Sequence, residues 1–441
     1  MSQNIRQKLR FLINEWQMAP FPEILPRQVD IVSWLNQPFN KVVSVVGFRR
    51  TGKTFILLDL AQKLGKENCV YLSFEDERLP RETEVLTELV NVAGEIYGKN
   101  RRVNLLVDEI QEVPQWSRWA RRVCEGTNFQ VVISGSSSKL SYSGIPTELR
   151  GRTITLMVYP LSYGEFLTWR KQEANISLLT EYLTYGGFPA IVRAEEGIRP
   201  HLFDQYYQTF LLRDIYELYH PRTKAAVHDL VRLLINSPYY TFSRLQKSLA
   251  LAWYKIGTTT VSNYLAWLTD SYFLRPLEAF RPKVKTKLQL PKKPFFADLY
   301  ILNRLNETMS PNLGRRLELA VAQKLFRQKD LDANMEIYYW RGEGETEVDF
   351  VVTNGLTVVC LIQVCYLSDL LELPPREISS LIKAAKQLNC QNLTLITWDY
   401  KGEIAEKGFK INCVPLGEFL LAGFGEARLV KSFPLPLRNH G

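Results

Sequence analysis

The residues that could do chemistry begin at Gly47. Between an apolar run, Val42 to Val46, and an amphipathic stretch from Phe55 lies Gly47-Phe48-Arg49-Arg50-Thr51-Gly52-Lys53-Thr54, which reads G-x-x-x-x-G-K-T. A strand before and a helix after are the setting this spacing needs to cradle phosphate. The glycines let backbone N–H groups wrap a triphosphate at a helix N-terminus, where the helix dipole also favours negative charge. On this reading Gly47, Arg49, Arg50, Thr51, Gly52, Lys53 and Thr54 line the phosphate site; Lys53 reaches the β and γ phosphates and Thr54 holds Mg2+.

Downstream, the run Val103-Asn104-Leu105-Leu106-Val107, apolar at four of its five positions, ends in Asp108-Glu109. An acidic pair at the end of such a strand suits phosphoryl transfer: Asp108 supports the Mg2+ shell and Glu109 acts as the catalytic group that polarises the attacking water. Acids also favour helix starts, so the pair alone has a second reading as an N-cap. A further apolar run ends in Ser134-Gly135-Ser136-Ser137-Ser138. Ser136 is the candidate sensor of the γ-phosphate there, and a serine-rich turn is the other reading. ATP and Mg2+ are the expected cofactors.

These groups need a scaffold that delivers several strand ends to one edge. Strand-like runs at 69–74, 103–107, 130–134 and 153–158, separated by helical stretches, predict a parallel sheet with helices on both faces. The order of parts resembles the AAA+ class of P-loop ATPases. More specifically, it is similar to prokaryotic AAA+ ATPases with a C-terminal restriction-endonuclease-like domain of uncertain function. Arg49-Arg50, DEIQEVPQW at 108–116, SGSSS at 134–138, LRGR at 149–152, PLSYGEF at 160–166 and YGGFP at 185–189 carry that resemblance. It implies a role for Arg150 and Arg152 in reaching a phosphate, from the same subunit or in trans as an arginine finger. A trans arginine would require a homo-oligomer; solvated surface arginines are the alternative.

Residues 162–235 carry aromatic and aliphatic residues at helical spacing, including Tyr206, Phe210, Leu211 and Tyr216. This stripe is read as core of a helical lid, with the 186–189 corner breaking it. Next, Phe242-Ser243-Arg244-Leu245 starts a helix with a serine cap, Gly257 breaks it, and Thr258 caps a second helix with Val261, Tyr264, Leu265 and Leu268 on one face. That is helix-turn-helix spacing. Arg281, Lys283, Lys285 and Lys287 then follow at period two, with Lys292 and Lys293 beyond and no acid between Glu278 and Asp298. Four like charges on one strand face call for an anion, so the segment reads as the wing of a DNA-binding winged helix, with Thr259 and Asn263 near the groove. A solvated basic linker is the alternative.

In the last part, FFADLYILN, Glu318 on a helix, and Glu347-Val348-Asp349 before an apolar strand resemble the nuclease-like domain of the same family. The chemistry of that fold takes a helical acid, a strand acid and Glu-x-Lys on the next strand, converging on a metal and a water. Glu318 and Asp349 match the first two. The third is Gln363-Val364-Cys365, which loses one negative charge and the ammonium. Glu318, Asp349 and Gln363 are therefore candidate metal ligands of a degenerate site, with Lys383 or Lys386 able in principle to replace the missing lysine.

Composition frames these readings. The chain has 441 residues, 46% hydrophobic and 23% charged, which excludes wholesale disorder and fibrous repeats and predicts about three domains. Lys plus Arg is 55 and Asp plus Glu 46, a net +9 that permits a polyanionic partner. Six cysteines without a C-x-x-C pair indicate neither zinc nor a disulfide framework. Phe350 to Ser368 is uncharged and long enough to span a bilayer, but Thr353-Asn354-Gly355 interrupts it, so a buried β-hairpin is expected and no membrane partner. The N-terminus lacks an apolar signal region, which points to the cytoplasm.

The expected architecture is a multi-domain α/β chain: a helical lead-in over 1–38, an AAA+ P-loop core over 39–165, a helical lid over 166–236, a winged helix over 237–290 and a restriction-endonuclease-like domain over 291–441. The expected function is ATP hydrolysis with Mg2+ coupled to DNA binding. The alternatives are an active ATP-dependent DNA nuclease and a nucleotide-switched regulatory protein.

Overall fold

The computed structural model describes residues 2–37, 41–98, 100–136, 140, 149–280, 290–306, 312–344 and 346–422. Ser137, Ser138, Arg281, Lys283, Lys285 and Lys287 lie outside them. Two compact units are present. The first comprises Met1–Pro160, Tyr206–Leu218 and Asp270–Phe273; the second comprises Leu161–Gln205, Tyr219–Thr269 and Leu274–Gly441. The stretch 166–236, expected as one helical lid, is thus shared between the units.

In the first unit, β1 (Val42–Val46), β2 (Cys69–Ser73), β3 (Asn104–Asp108), β4 (Gln130–Gly135) and β5 (Thr153–Met157) form one sheet in the order β2-β3-β4-β1-β5. All pairings are parallel. The central strands β1, β3 and β4 are buried along their whole length, as a sheet covered on both faces requires. The N-terminal helix Ser2–Met18 inserts Ile5, Leu9, Leu12 and Ile13 into the core shared with the helix Thr83–Tyr97. Its Arg6 and Arg10 pair with Glu88 and Glu95 of that helix, each at 2.5 Å.

The second unit starts with a helix whose capping box explains the 160–166 string. Ser162 accepts from the Glu165 amide at 3.1 Å, and the Glu165 carboxylate accepts from the Ser162 amide at 2.8 Å. The paired glycines after Tyr185 are forced by crowding. Gly186 has φ 69°, and a Cβ there would lie 1.8 Å from an Asp298 carboxylate oxygen; at Gly187 it would lie 2.2 Å from the Leu161 carbonyl oxygen.

Helices Lys224–Ile235, Phe242–Leu251 and Thr258–Asp270 precede β6 (Leu274–Leu277), which pairs antiparallel with β7 (Lys293–Phe296). Tyr240 forms a further antiparallel bridge with Lys292. Thr241, not Ser243, caps the second of these helices, accepting from the Arg244 amide at 3.2 Å, and Thr258 is the first helical residue of the third rather than its cap. Val261, Tyr264, Leu265 and Leu268 are buried, as their spacing predicts, while Thr259 and Asn263 are exposed.

The remaining strands, β8 (Met335–Arg341), β9 (Glu347–Asn354), β10 (Thr357–Val364), β11 (Leu393–Thr397), β12 (Gly402–Glu406) and β13 (Phe409–Pro415), form a mixed sheet in the order β12-β13-β11-β10-β9-β8. The uncharged run is the expected hairpin: β9 and β10 pair antiparallel around Gly355, whose φ is 57°. Among the described residues no helix is long and apolar enough to cross a membrane.

Candidate functional site

The phosphate loop leaves β1 at the carboxyl edge of the first sheet. Gly47 is dictated by space, because a Cβ there would stand 2.2 Å from the Val158 carbonyl oxygen. Arg50 and Gly52 take left-handed backbone angles, φ 65° and 95°, and Gly52 leads into the helix Lys53–Leu64. The Thr51 hydroxyl donates to the Phe48 carbonyl at 2.9 Å, closing the turn. Lys53 is 5% exposed and donates to the carbonyls of Gly47 and Phe48, both at 3.2 Å. Burial lowers its ammonium below the usual lysine value, against the pull of Glu109 and Asp108.

The acidic pair meets this loop. The Thr54 hydroxyl donates to Asp108 at 2.7 Å, and the Tyr71 hydroxyl donates to the same oxygen at 3.1 Å. The Ser134 hydroxyl donates to the other Asp108 oxygen. Burial, and then the neighbouring Glu109, raise the Asp108 carboxyl above its ordinary value, while the Ser134 and Thr54 hydroxyls oppose them. Glu109 has a left-handed backbone, φ 51°, uncommon for a residue with a side chain, and its carboxylate accepts from the Gln111 amide. Among the described serines of this run, Ser134 touches the acidic pair, while Ser136 follows the end of β4 and is buried.

Sequence reasoning missed the groups that hold the loop from outside. Arg49 forms a two-pronged pair with Asp214, at 3.0 and 2.9 Å, with both side chains mostly buried. Asp214 lies on the π-helical turn Phe210–Tyr216, within the stripe read as lid core. Phe210 does pack, stacking on Phe273 at 4.7 Å and lying 5.2 Å from Phe48 of the loop. Arg50 lies 5.4 Å over the Tyr206 ring. Arg27 bridges the carbonyls of Thr51 and Tyr159, both at 2.8 Å.

Arg150 and Arg152 are not brought to this site. The Arg152 carbonyl accepts from the Val42 amide at 2.9 Å, and Thr153 pairs with Val42. Both arginines therefore sit at the amino edge of the sheet, about 13 Å or more along β1 from the loop that begins after Val46. The Arg152 side chain pairs with Glu125, and Arg150 is exposed. Parallel strand direction therefore opposes action on this subunit's own phosphate loop, and the exposed Arg150 and the Arg152–Glu125 pair fit solvated surface arginines.

A second cluster lies in the second unit. Glu318 on the helix Leu313–Leu331 and Asp349 on β9 both reach Lys293 of β7, which stands between them. Its Nζ lies 2.6 Å from Glu318, 2.7 Å from Glu347 and 2.8 Å from Asp349. Burial disfavours the charged lysine, but Asp349, Glu318 and Glu347 outweigh it and hold the ammonium well above its usual value. Burial pushes the Glu318 carboxyl up to about 7, with Lys293 opposing.

Gln363 does not turn its amide to this cluster. Its oxygen accepts from the Asp349 amide at 3.2 Å and its nitrogen donates to Glu377 at 2.7 Å. Lys383 and Lys386 are exposed and do not line the cleft around Glu318 and Asp349. The basic cluster loses two members as well. Lys293 is buried here, and Lys292 pairs with Glu278 at 3.0 Å. Lys293 is thus turned away from any outside anion, and Lys292 already has a counter-charge.

Matching family models run along the chain in the order of an AAA domain over residues 39–167, a domain of unknown function (DUF8612) over 176–312 and a domain of unknown function (DUF4143) over 313–415. Solved structures similar to this chain include the Walker-type ATPase PABY2304 of Pyrococcus abyssi, with TM-score 0.43 and 14% identity, covering 66% of this chain and 99% of that one. AMPPCP-bound DnaA from Aquifex aeolicus gives TM-score 0.27 and 12% identity, covering 56% and 89%. Likeness of that degree bears on neither substrate nor partner. An uncharacterized protein of Haemophilus influenzae is 25% identical over 311 residues, 68% of this chain and 77% of its own. The uncharacterized protein MJ1544 of Methanocaldococcus jannaschii is 30% identical over 429 residues, 92% of each chain. The chain therefore belongs to the family of MJ1544 and carries an AAA domain over residues 39–167.

Proposed function

We propose that the first unit hydrolyses ATP with Mg2+ and that the cycle is coupled to DNA held by the second unit. The observation that carries the ATPase reading is the 2.7 Å hydrogen bond between Thr54 and Asp108, with Lys53 and Glu109 beside it. A hydroxyl and a carboxylate are oxygen donors of the kind a hard dication takes, and a buried carboxylate with raised pKa gains from a cation, so these residues fit Mg2+. When bound, Mg2+ supplies charge neutralisation across the β and γ phosphates. Lys53 exchanges two neutral carbonyl acceptors for phosphate oxygens. Glu109, its carboxylate steadied by Gln111, orients and polarises the attacking water.

For the second unit, three helices followed by a β6–β7 hairpin, with the Tyr240–Lys292 bridge as a short third strand, support a winged helix. Thr259 and Asn263 on its exposed helix face are the candidate groove contacts, and the basic residues 281–287 are the candidate phosphate contacts. The mixed sheet with Glu318 and Asp349 supports a nuclease-like fold with a degenerate site. ATPase rates measured without nucleic acid and with single-stranded, duplex and branched DNA test the coupling. The expected result is a rise with one DNA form, abolished in Glu109→Gln while nucleotide binding persists; equal rates in all four conditions would overturn it.

A further inference from the structure

A lysine ammonium has three N–H donors and no acceptor. Lys293 directs its Nζ at one oxygen from each of three carboxylates, at 2.6, 2.7 and 2.8 Å, so its donor capacity is filled by charged partners. The rings of Tyr239 and Tyr339 lie 5.5 and 5.7 Å from the same nitrogen, close enough for cation–π attraction. The position is fixed by backbone as well: Lys293 pairs with Leu277 across the β6–β7 hairpin, and the residue before it bridges to Tyr240.

Two further oxygen ligands beside the cluster, the second Asp349 oxygen and the Gln363 carbonyl, are committed elsewhere. The second Asp349 oxygen accepts from the Val364 amide at 3.0 Å. Gln363 spends one end of its amide on the backbone and the other on Glu377. Among the described residues no group of three or more His, Cys, Asp or Glu side chains is arranged to hold a metal ion. The divalent metal that a nuclease of this shape requires therefore does not fit the residues present.

We propose that Lys293 is a built-in cation standing where such a nuclease would place its metal, so that Glu318, Glu347 and Asp349 are committed to the ammonium and bind no dication. This rests on the nuclease-like reading of the second unit. The cluster is then a charged joint that ties β7 to the helix carrying Glu318 and to β9. Its carboxylates remain a latent metal site, which removal of the lysine exposes. Around the ammonium the three acids are not arranged as metal ligands; without it they are uncompensated carboxylates of the kind a hard cation takes, and would close on one.

Titration of Mn2+ into nucleotide-free full-length protein, with free Mn2+ followed by electron paramagnetic resonance, tests this. Any Mn2+ held at the phosphate loop is common to all variants and cancels. Wild type and Asp349→Asn should bind the same amount. Lys293→Ala should gain about one Mn2+ per chain, and the double variant Lys293→Ala, Asp349→Asn should lose it again. If wild type binds about one Mn2+ more than Asp349→Asn, the lysine sits beside a metal and not in its place; the proposal fails while the nuclease-like reading survives. If Lys293→Ala is folded by circular dichroism yet gains no Mn2+, the acids are not placed as metal ligands, and the nuclease-like reading fails with the proposal. Should Lys293→Ala fold only when Mn2+ is supplied, the metal has replaced the ammonium, as expected. If it folds under neither condition, wild type against Asp349→Asn decides alone.

Discussion

Lys53 and Lys293 are buried to nearly the same degree, 5% and 4% exposed, and each lies near an aspartate on a strand. Their surroundings drive them in opposite directions. Lys53 donates to two neutral carbonyls, and burial wins, lowering its pKa. Lys293 donates to three carboxylates, and their attraction wins, raising it. A buried ammonium on carbonyls has unspent affinity for an anion, whereas one on carboxylates has already met its counter-charge. The first is poised for phosphate; the second is a structural cation.

Removing each lysine should therefore fail in a different way, and the largest effect is expected at the first site. Lys53→Ala should cut ATP turnover by about 10^3-fold or more, because an electrostatic clamp on the transferring phosphate is lost. Glu109→Gln should cut it by about 10^2 to 10^4-fold with nucleotide binding retained, the range for loss of a positioned acid–base group. Turnover assays with equilibrium binding of a fluorescent nucleotide check both. Normal turnover in either variant would falsify the ATPase assignment.

At the second site the loss should appear in stability. Lys293→Ala leaves three carboxylates without their partner, and breaking a buried ion pair from one side costs about 3–5 kcal/mol. Lys53→Ala leaves only neutral hydrogen-bond acceptors, and although Asp108 and Glu109 lose a nearby positive charge, the change also removes an ammonium that burial disfavours, so the fold should lose less, about 1 kcal/mol. Urea denaturation of the two variants, without added metal, measures the contrast. Equal losses would break it.

The two sites were also unequally legible in the sequence. The phosphate loop could be read because its geometry is local: Gly47 must pass the Val158 carbonyl, and the required residues are contiguous. Asp214 could not, because an aromatic stripe around it reads as core, and its partner Arg49 lies 165 residues away. Lys293 sits beside Lys292 in a basic run, and its carboxylates arrive from 25 and 56 residues further on, so local charge gave the wrong environment. One signal was available: Glu347 and Asp349, two residues apart on a strand, share a face, so finding Asp349 implied Glu347. Arg150 and Arg152 carried a signal too. They precede a parallel strand, whereas ligands meet such sheets at the carboxyl ends, so strand direction alone opposed a role in cis.

Asp298 sharpens the comparison by showing a buried carboxylate that is held by backbone amides, with the Arg327 charge opposing burial more weakly than the Gly187 and Tyr300 amides do. It accepts from the amides of Gly187 and Tyr300, both at 2.8 Å, yet burial pushes its pKa up to about 6 from an ordinary 3.8. A native carboxyl that binds its proton more tightly than the unfolded one stabilises the fold at low pH. That contribution is full below about 4, falls as pH rises through about 6 and is gone above it. The change amounts to at most about 3 kcal/mol. Asp298→Asn should remove it, so the stability difference between wild type and variant, measured in urea at pH 4 and 7.5, should shift against wild type at the higher pH. No shift would mean that the amides compensate burial as well as an ammonium does.

The smallest expected effect concerns Lys292, whose ammonium is paired with Glu278. If charge already met inside the fold is lost to outside anions, Lys292→Ala should leave the salt dependence of DNA binding almost unchanged. Neutralising Lys283, Lys285 and Lys287 together should lower the slope of log K against log salt by about 3, near one unit for each phosphate left without its lysine. Fluorescence anisotropy across a salt series separates the two variants. A Lys292→Ala slope change as large as that of any one of the three would show that the pair with Glu278 opens to receive phosphate. The rule drawn from Lys53 and Lys293 would then hold only for lysines buried as deeply as those two.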